Sequence, residues 1–186
     1  MTTSEFVSAL AALLPTATEY AMYWPDPADY ASLQQEFVPQ RREHLRPLPI
    51  LTHTELDALL ANYELVRVTI MGDIQFFEVP FLSEGLMTVA AAGSGTFTVS
   101  ASGEVNFYTE TNGYTAPEFR CSRTVSGFYQ ALLVLTEYYR NRLIHKIERK
   151  DPLARQTYAQ QAAIVAGEPA ASHHYLGLIN AALPLP

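Results

Sequence analysis

The order of hydrophobic periodicities predicts an α+β fold, an antiparallel sheet of about five or six strands flanked by N-terminal and C-terminal helices. Before residue 64 and after residue 125 apolar side chains recur at helical steps. Between those limits they alternate at every second position. No strand-helix-strand rhythm interrupts the alternating stretch, so its strands are joined by short turns and run antiparallel. The 186 residues suffice for one packed core, and no repeat or linker divides them, so one domain over residues 1–186 is expected.

The first helix follows from Thr2 and Glu5, spaced so that their side chains satisfy free amides at a helix start. Phe6, Leu10, Leu13 and Leu14 share its inner face, and Pro15 ends it. Asp26, Pro27 and Asp29 make a second start: a cap, a proline where its missing N–H costs nothing, and a charge suited to the positive end of the dipole. Tyr30, Leu33, Phe37 and Val38 form the buried stripe. Three prolines and three arginines in residues 39–50 predict an exposed connection. Thr52 and Glu55 then open a helix that buries Leu56, Leu59, Leu60 and Tyr63.

From Leu65 the period drops to two, with Val66, Val68 and Ile70 alternating against Arg67 and Thr69. Ile74 to Val79, bounded by Gly72 and Pro80, and Leu86 to Ala92, bounded by Gly85 and Gly93, supply two more strands. Thr96 to Ser100 and Glu104 to Thr109 are joined by Ala101, Ser102 and Gly103, a turn suited to positive φ. Asn112 and Gly113 mark another turn, and Tyr114 to Arg120 holds a last short strand.

Ser126 is the expected cap of a long helix in which Phe128, Leu132, Leu135, Tyr139, Leu143 and Ile147 recur at steps of three and four. Such a helix spans about 30 Å at 1.5 Å per residue, enough to cross a whole sheet. Asp151 and Pro152 start the next, with Ala154, Tyr158, Ala162 and Val165 inward and Gly167 as its stop. His173 to Leu183 adds a final short helix.

Composition restricts function more than it identifies it. Twelve Lys and Arg against 19 Asp and Glu, a formal charge of −7 and a pI near 5.2 exclude a phosphate-tracking nucleic-acid binder, whose affinity needs clustered cations. The basic group Arg140, Arg142, Lys146, Arg149 and Lys150 reads as a solvated helix face. A single Cys121 forms no internal disulfide, which fits a reducing compartment. The start of the chain carries Glu5 and lacks the basic opening of a secretory signal, and no apolar run reaches the 18 or so residues that span a bilayer. A soluble, cytoplasmic protein without a membrane segment is expected.

Motifs for catalysis are not evident. Gly93-Ser94-Gly95 lacks the lysine and helix start of a phosphate cradle, and Ser94 lacks the surroundings of a nucleophile elbow. His173 and His174, as neighbours, are expected to point apart, and His44, His53 and His145 are scattered, so no metal site is assigned. Cys121 reads as a small buried hydrophobe. No cofactor is expected. The hairpin carboxylates Asp73, Glu78, Glu84, Glu104, Glu110 and Glu118 outnumber Arg67 and Arg120 in the same stretch. They form a candidate acidic surface for steering a basic protein partner, against the plainer reading of a solubilising face. Of the sheet-region aromatics, Tyr108 and Tyr114 are the candidate outward anchors for an interface.

The stretch Ala90 to Phe107, AAAGSGTFTVSASGEVNF, resembles the core of the SUKH superfamily. There a glycine-rich turn (Gly93-Ser94-Gly95) leads to a strand (Thr96 to Ser100) and a second strand of "GeVy" type (Gly103-Glu104-Val105, with Phe107 and Tyr108). Ser126 to Leu133 is similar to the helix that follows the sheet, and Asp151-Pro152-Leu153-Ala154 to a late "Dp.A" element. The resemblance covers about the last two-thirds of the chain. It implies an α+β, non-enzymatic domain that often serves as a bacterial immunity protein, binding and neutralising a toxin, commonly a nuclease with a basic cleft. A small acidic secretion chaperone, or a small-molecule binder or enzyme with an aromatic pocket in the sheet, are the alternatives.

Overall fold

The structure is a computed structural model that describes residues 1–48, 54–65, 67–71, 73–83, 86–93, 95–109, 116–148 and 151–181. It is an α+β fold with helices at both ends of the chain and a six-stranded antiparallel meander between them. The N-terminal helices are α1 (Thr3–Ala12), α2 (Ala17–Ala21), α3 (Pro27–Phe37) and α4 (Glu55–Asn62). Strands β1 (Gln40–Arg41) and β2 (Tyr63–Glu64) form a separate two-stranded ribbon. The main sheet runs in chain order through β3 (Thr69–Ile70), β4 (Ile74–Ser83), β5 (Leu86–Ala92), β6 (Gly95–Val99), β7 (Val105–Thr109) and β8 (Phe119–Ser122). Then come α5 (Val125–Leu143), α6 (Pro152–Val165), a 3-10 turn at Pro169–Ala171, and α7 (Ser172–Ala181).

The helix starts follow the expected chemistry. Thr2 and Glu5 form a capping box on α1, Asp26 caps α3 with Pro27 next, and Asp151 caps α6. Two caps shift by two residues: Thr54 rather than Thr52 caps α4, and Thr124 rather than Ser126 caps α5. Thr54 directly precedes α4 and its hydroxyl accepts from Leu56 N, whereas Ser126 already lies within α5, where its hydroxyl accepts from the Met1 amino group and Thr124 accepts from Gly127 N. Thr52 lies outside the described residues.

Helix α5 is the axis of the core. Phe128 packs its ring 5.4 Å from Phe97 of β6, and Phe97 and Phe107 extend that aromatic layer across the sheet. Behind α5, Tyr129 stacks on Phe6 of α1 at 4.3 Å, and its hydroxyl donates to the Glu55 carbonyl at the start of α4. Helices α6 and α7 pack on its remaining flank and over β8, where the Tyr175 hydroxyl donates to the Cys121 carbonyl at 2.7 Å. Burying α5 on several sides accounts for Arg142, which is only 6% exposed and lies over the Tyr138 ring. The basic stretch is thus not wholly a solvated face, and Arg140 is paired with Glu19 at 3.2 Å.

Other departures have local causes. The strand expected from Leu65 is reduced to Thr69–Ile70, because the Leu65 carbonyl accepts from Val68 N and closes a turn. Val66 is outside the described residues. Strand β4 does not stop at Pro80 but continues to Ser83. The last strand falls at Phe119–Ser122, later than Tyr114 to Arg120. Helix α5 ends at Leu143, where His145 takes a positive φ of 52°, so Ile147 packs on the core from beyond the helix. In α6 the buried residues are Ala159, Ala162 and Ala163, with Tyr158 and Val165 only half-buried.

Candidate functional site

The carboxylates expected to share one acidic face are distributed over separate parts of the sheet. Asp73 sits in the turn before β4. Its Oδ1 accepts from Gly93 N at 3.3 Å, its Oδ2 is buried without a partner, and burial pushes the carboxyl up. Glu78 lies in β4 with Arg46 at 2.6 Å and Arg42 at 3.9 Å. Three strands away, Glu104 meets Arg120 at 3.1 Å, and Arg120 and Arg123 share Glu168 at 2.7 and 2.8 Å. Glu118 is exposed and accepts from the Thr109 hydroxyl at 3.2 Å.

Paired carboxylates contribute little net field, so Glu78 and Glu104 do not make the strongly acidic surface that the strand segment alone suggests. Counting charge within residues 65–120 missed Arg42, Arg46 and Glu168, which the fold brings in from outside. Tyr108 is 7% exposed and is therefore not an outward anchor. Glu84, Glu110 and Tyr114 lie outside the described residues.

A different feature stands out on β4. Between the pairs Phe76–Ala90 and Phe81–Thr88, β4 inserts residues 77–80 where β5 has only Val89. Such a bulge bends the strand and re-aims its side chains. Here it leaves Val79, Phe81 and Leu82 exposed at 53%, 46% and 55%. Phe77 meets Phe81 at 5.3 Å across the bulge.

The exposure wraps the strand's edge. Phe81 opposes Thr88, which opposes Thr98, on the sheet face away from α5, whereas Leu82 opposes Met87 and then Val99 on the α5 side. Strand β3 pairs only with Ile74 and Gln75, so from Phe76 onward β4 has no neighbouring strand on that side among the described residues. Arg46 Nη1 instead donates to the Glu78 main-chain carbonyl at 2.7 Å. Leu45, beside it in the chain, is also exposed. Sequence reasoning flagged Glu78 but not the apolar residues around it. Their signal was the unalternating run IQFFEVPFL with a proline inside, which is tolerated only at an edge.

The remaining concavities offer less. One of about 320 Å³ is lined by Glu118, Phe119, Arg120, Glu168 and both His173 and His174. The two imidazoles come together rather than apart, with centroids at 3.7 Å, and His174 stacks on Phe119 at 4.2 Å. Burial and His173 hold His174 below its ordinary value. Among the described residues no three His, Cys, Asp or Glu side chains are placed to hold a metal. Cys121 is fully buried and burial pushes its thiol well up, which removes the thiolate that nucleophilic chemistry needs. A groove of about 380 Å³ lies among Gln35, Val38, Gln40, Glu64 and Arg67. Among the described residues no helix is long and apolar enough to cross a membrane.

Compared with protein families, with curated proteins and with solved structures, the chain has no significant match.

Proposed function

We propose that this chain is a non-enzymatic, cytoplasmic protein-binding module of the immunity type, neutralising a bacterial toxin by direct binding, and that β4 is its docking edge. The observation that carries the docking role is the exposure of Val79, Phe81 and Leu82 on a strand that, from Phe76 onward, has no neighbouring strand on one side among the described residues, beside the charged pairs of Glu78 with Arg42 and Arg46. An apolar centre with a polar rim is the usual anatomy of a protein interface, and exposed apolar edge strands invite pairing. The toxin as partner rests on the SUKH-like strands and helix. With Glu78 and Glu104 internally paired, a basic toxin domain would be held chiefly by apolar contact at β4 and only secondarily by charge.

The test is capture of a partner on the immobilised protein at low and high salt, followed by binding measurements with the purified partner. The expected result is one toxin-like protein whose affinity falls at least about tenfold with Val79→Asp and Leu82→Asp, a change of about 1.4 kcal/mol. Retention of a small molecule with no protein partner, or a partner indifferent to both substitutions, would overturn the proposal.

A further inference from the structure

We infer that the guanidinium of Arg142, in the last turn of α5, is a binding site for a small oxyanion, a carboxylate or phosphate group. This holds whether or not β4 is a docking edge. Arg142 is only 6% exposed. Arginine keeps its charge inside a protein, and charged side chains are almost never fully buried unless they are paired. Yet among the described residues no carboxylate or other acceptor bonds the Arg142 guanidinium. Its Nε is wholly buried without a partner. Nη1 and Nη2 also bond to nothing but keep some contact with solvent, so the fork can be reached from outside. The Tyr138 ring, 5.6 Å from the guanidinium carbon, attracts the charge without supplying a lone pair to any N–H.

The acceptors nearest in the chain are already in use. The Leu143 carbonyl takes the Trp24 indole N–H at 3.0 Å. The Arg140 and Arg142 carbonyls accept from Ile144 N and His145 N, and the Asn141 carbonyl from Lys146 N and Ile147 N. The negative end of the α5 dipole favours a cation in this turn, but it leaves the donors of that cation unbonded. Glu19, the carboxylate that reaches this end of α5, is held by Arg140 at 3.2 Å and Lys146 at 3.9 Å. One turn earlier, the Tyr138 hydroxyl is a second buried group without a partner. Donors and positive charge are thus left over together.

That surplus selects the ligand. Water supplies acceptors but no charge, whereas an oxyanion supplies both. The paired Nη donors of an arginine match two oxygens of one carboxylate or phosphate, a geometry that a spherical halide cannot use. The small remaining exposure restricts the ligand to a small ion or to the end of a larger molecule.

Thermal unfolding of the intact protein, followed as chloride is replaced by acetate or by phosphate at constant pH and ionic strength, tests the site. The wild-type midpoint is expected to rise by about 3–5 °C for each tenfold increase in oxyanion above its Kd. The rise is read against Arg142→Met, which removes the charge and the fork, because phosphate stabilises folded proteins generally. Arg142→Met is expected to abolish the specific response. Arg142→Lys, which keeps the charge without the fork, is expected to weaken binding at least about tenfold. Circular dichroism confirms that both variants are folded. A response to acetate, to phosphate or to both supports the site and distinguishes a planar from a tetrahedral ligand. A wild type that does not distinguish either oxyanion from chloride overturns the proposal without recourse to a variant. An Arg142→Met protein that responds as the wild type does overturns it as well.

Discussion

Ser122 and Gly127 stand so close that a Cβ on Gly127 would lie 2.6 Å from the Ser122 Oγ. That hydroxyl is fully buried and lies 2.8 Å from the carbonyl oxygens of both Thr124 and Ala166, so β8, the first turn of α5 and the end of α6 meet at one atom. Gly127→Ala gains about 1 kcal/mol of helix propensity but places the new methyl 2.6 Å from Oγ and 3.0 Å from the Ala166 oxygen. Overpacking of this kind costs about 1–3 kcal/mol, so a net loss is expected. Ser122→Ala should cost about 1–3 kcal/mol by leaving a buried carbonyl unsatisfied. Because removing Oγ also makes room for the methyl, the double variant should lose less than the sum. Urea denaturation of the four proteins checks this, and strict additivity would refute the shared contact.

Cys121 gives a second test of the same region. Its thiol is buried and held well above its ordinary value, and Tyr175 of α7 bonds the Cys121 carbonyl. A thiol reagent should therefore react only as fast as β8 and α7 open, and the rate should rise steeply with denaturant. Rapid stoichiometric labelling of the native protein would contradict the burial.

The fold was legible in this sequence because its elements are punctuated locally. Asp26-Pro27 and Asp151-Pro152 place helix starts to the residue, since cap and proline act within one turn. Gly103, at φ 83°, closes its hairpin as expected of a position that needs positive φ. Where local signals competed, tertiary context decided. Pro80 read as a strand end because proline lacks the N–H that a central strand uses, yet it lies in the bulge between Phe76 and Phe81, where the β4–β5 register gives it no partner and so no ladder bond is lost. The alternation from Leu65 read as a strand, but a turn at Leu65 and Val68 consumed it.

The edge proposed for docking was much less legible. Glu78 was singled out for its charge, although Arg42 and Arg46, more than thirty residues earlier in the chain, neutralise it. Tyr108 was placed outward by alternation alone, which assumes that one sheet face is bare. Here Thr88, Thr98 and Tyr108 on the face away from α5 are all buried. Exposure of Val79, Phe81 and Leu82 depends on a bulge, which the loss of alternation around Pro80 signals, and on β4 having no strand on its other side from Phe76 onward among the described residues, which their own segment does not encode.

Glu36 supplies a pH dependence of known sign. Its Oε2 is buried without a partner, and burial pushes its carboxyl above 4.5, partly offset by the Thr69 and Tyr139 side chains. A carboxyl raised in the folded state binds its proton more readily folded than unfolded. Its ionisation therefore weakens the fold at neutral pH, and that loss is recovered as pH falls from the raised value to the unfolded one. Glu36→Gln should be more stable than wild type at pH 7, and the two should converge in acid. Equal unfolding free energies at both pH values would show that the carboxyl is adequately solvated.

His174 should act in the opposite sense and in a higher window. Burial first, and then His173 at 3.7 Å, hold its imidazole below 6.5, while Glu118 pulls the other way. A histidine depressed in the folded state gives up its proton more readily folded than unfolded. Its contribution is complete above about 6.5 and is lost as pH falls from there toward the depressed value. Protonation also charges a ring stacked on Phe119 at 4.2 Å, so the loss should appear where α7 meets β8. His174→Phe keeps an aromatic ring against Phe119 and removes the titration. The variant should therefore show a flatter unfolding free energy between pH 7.5 and 5.5 than wild type. Protection of the β8 and α7 amides, taken relative to their intrinsic exchange rate at each pH, should fall in acid in the wild type alone. A wild type whose stability is level across that range would mean that His174 titrates alike folded and unfolded.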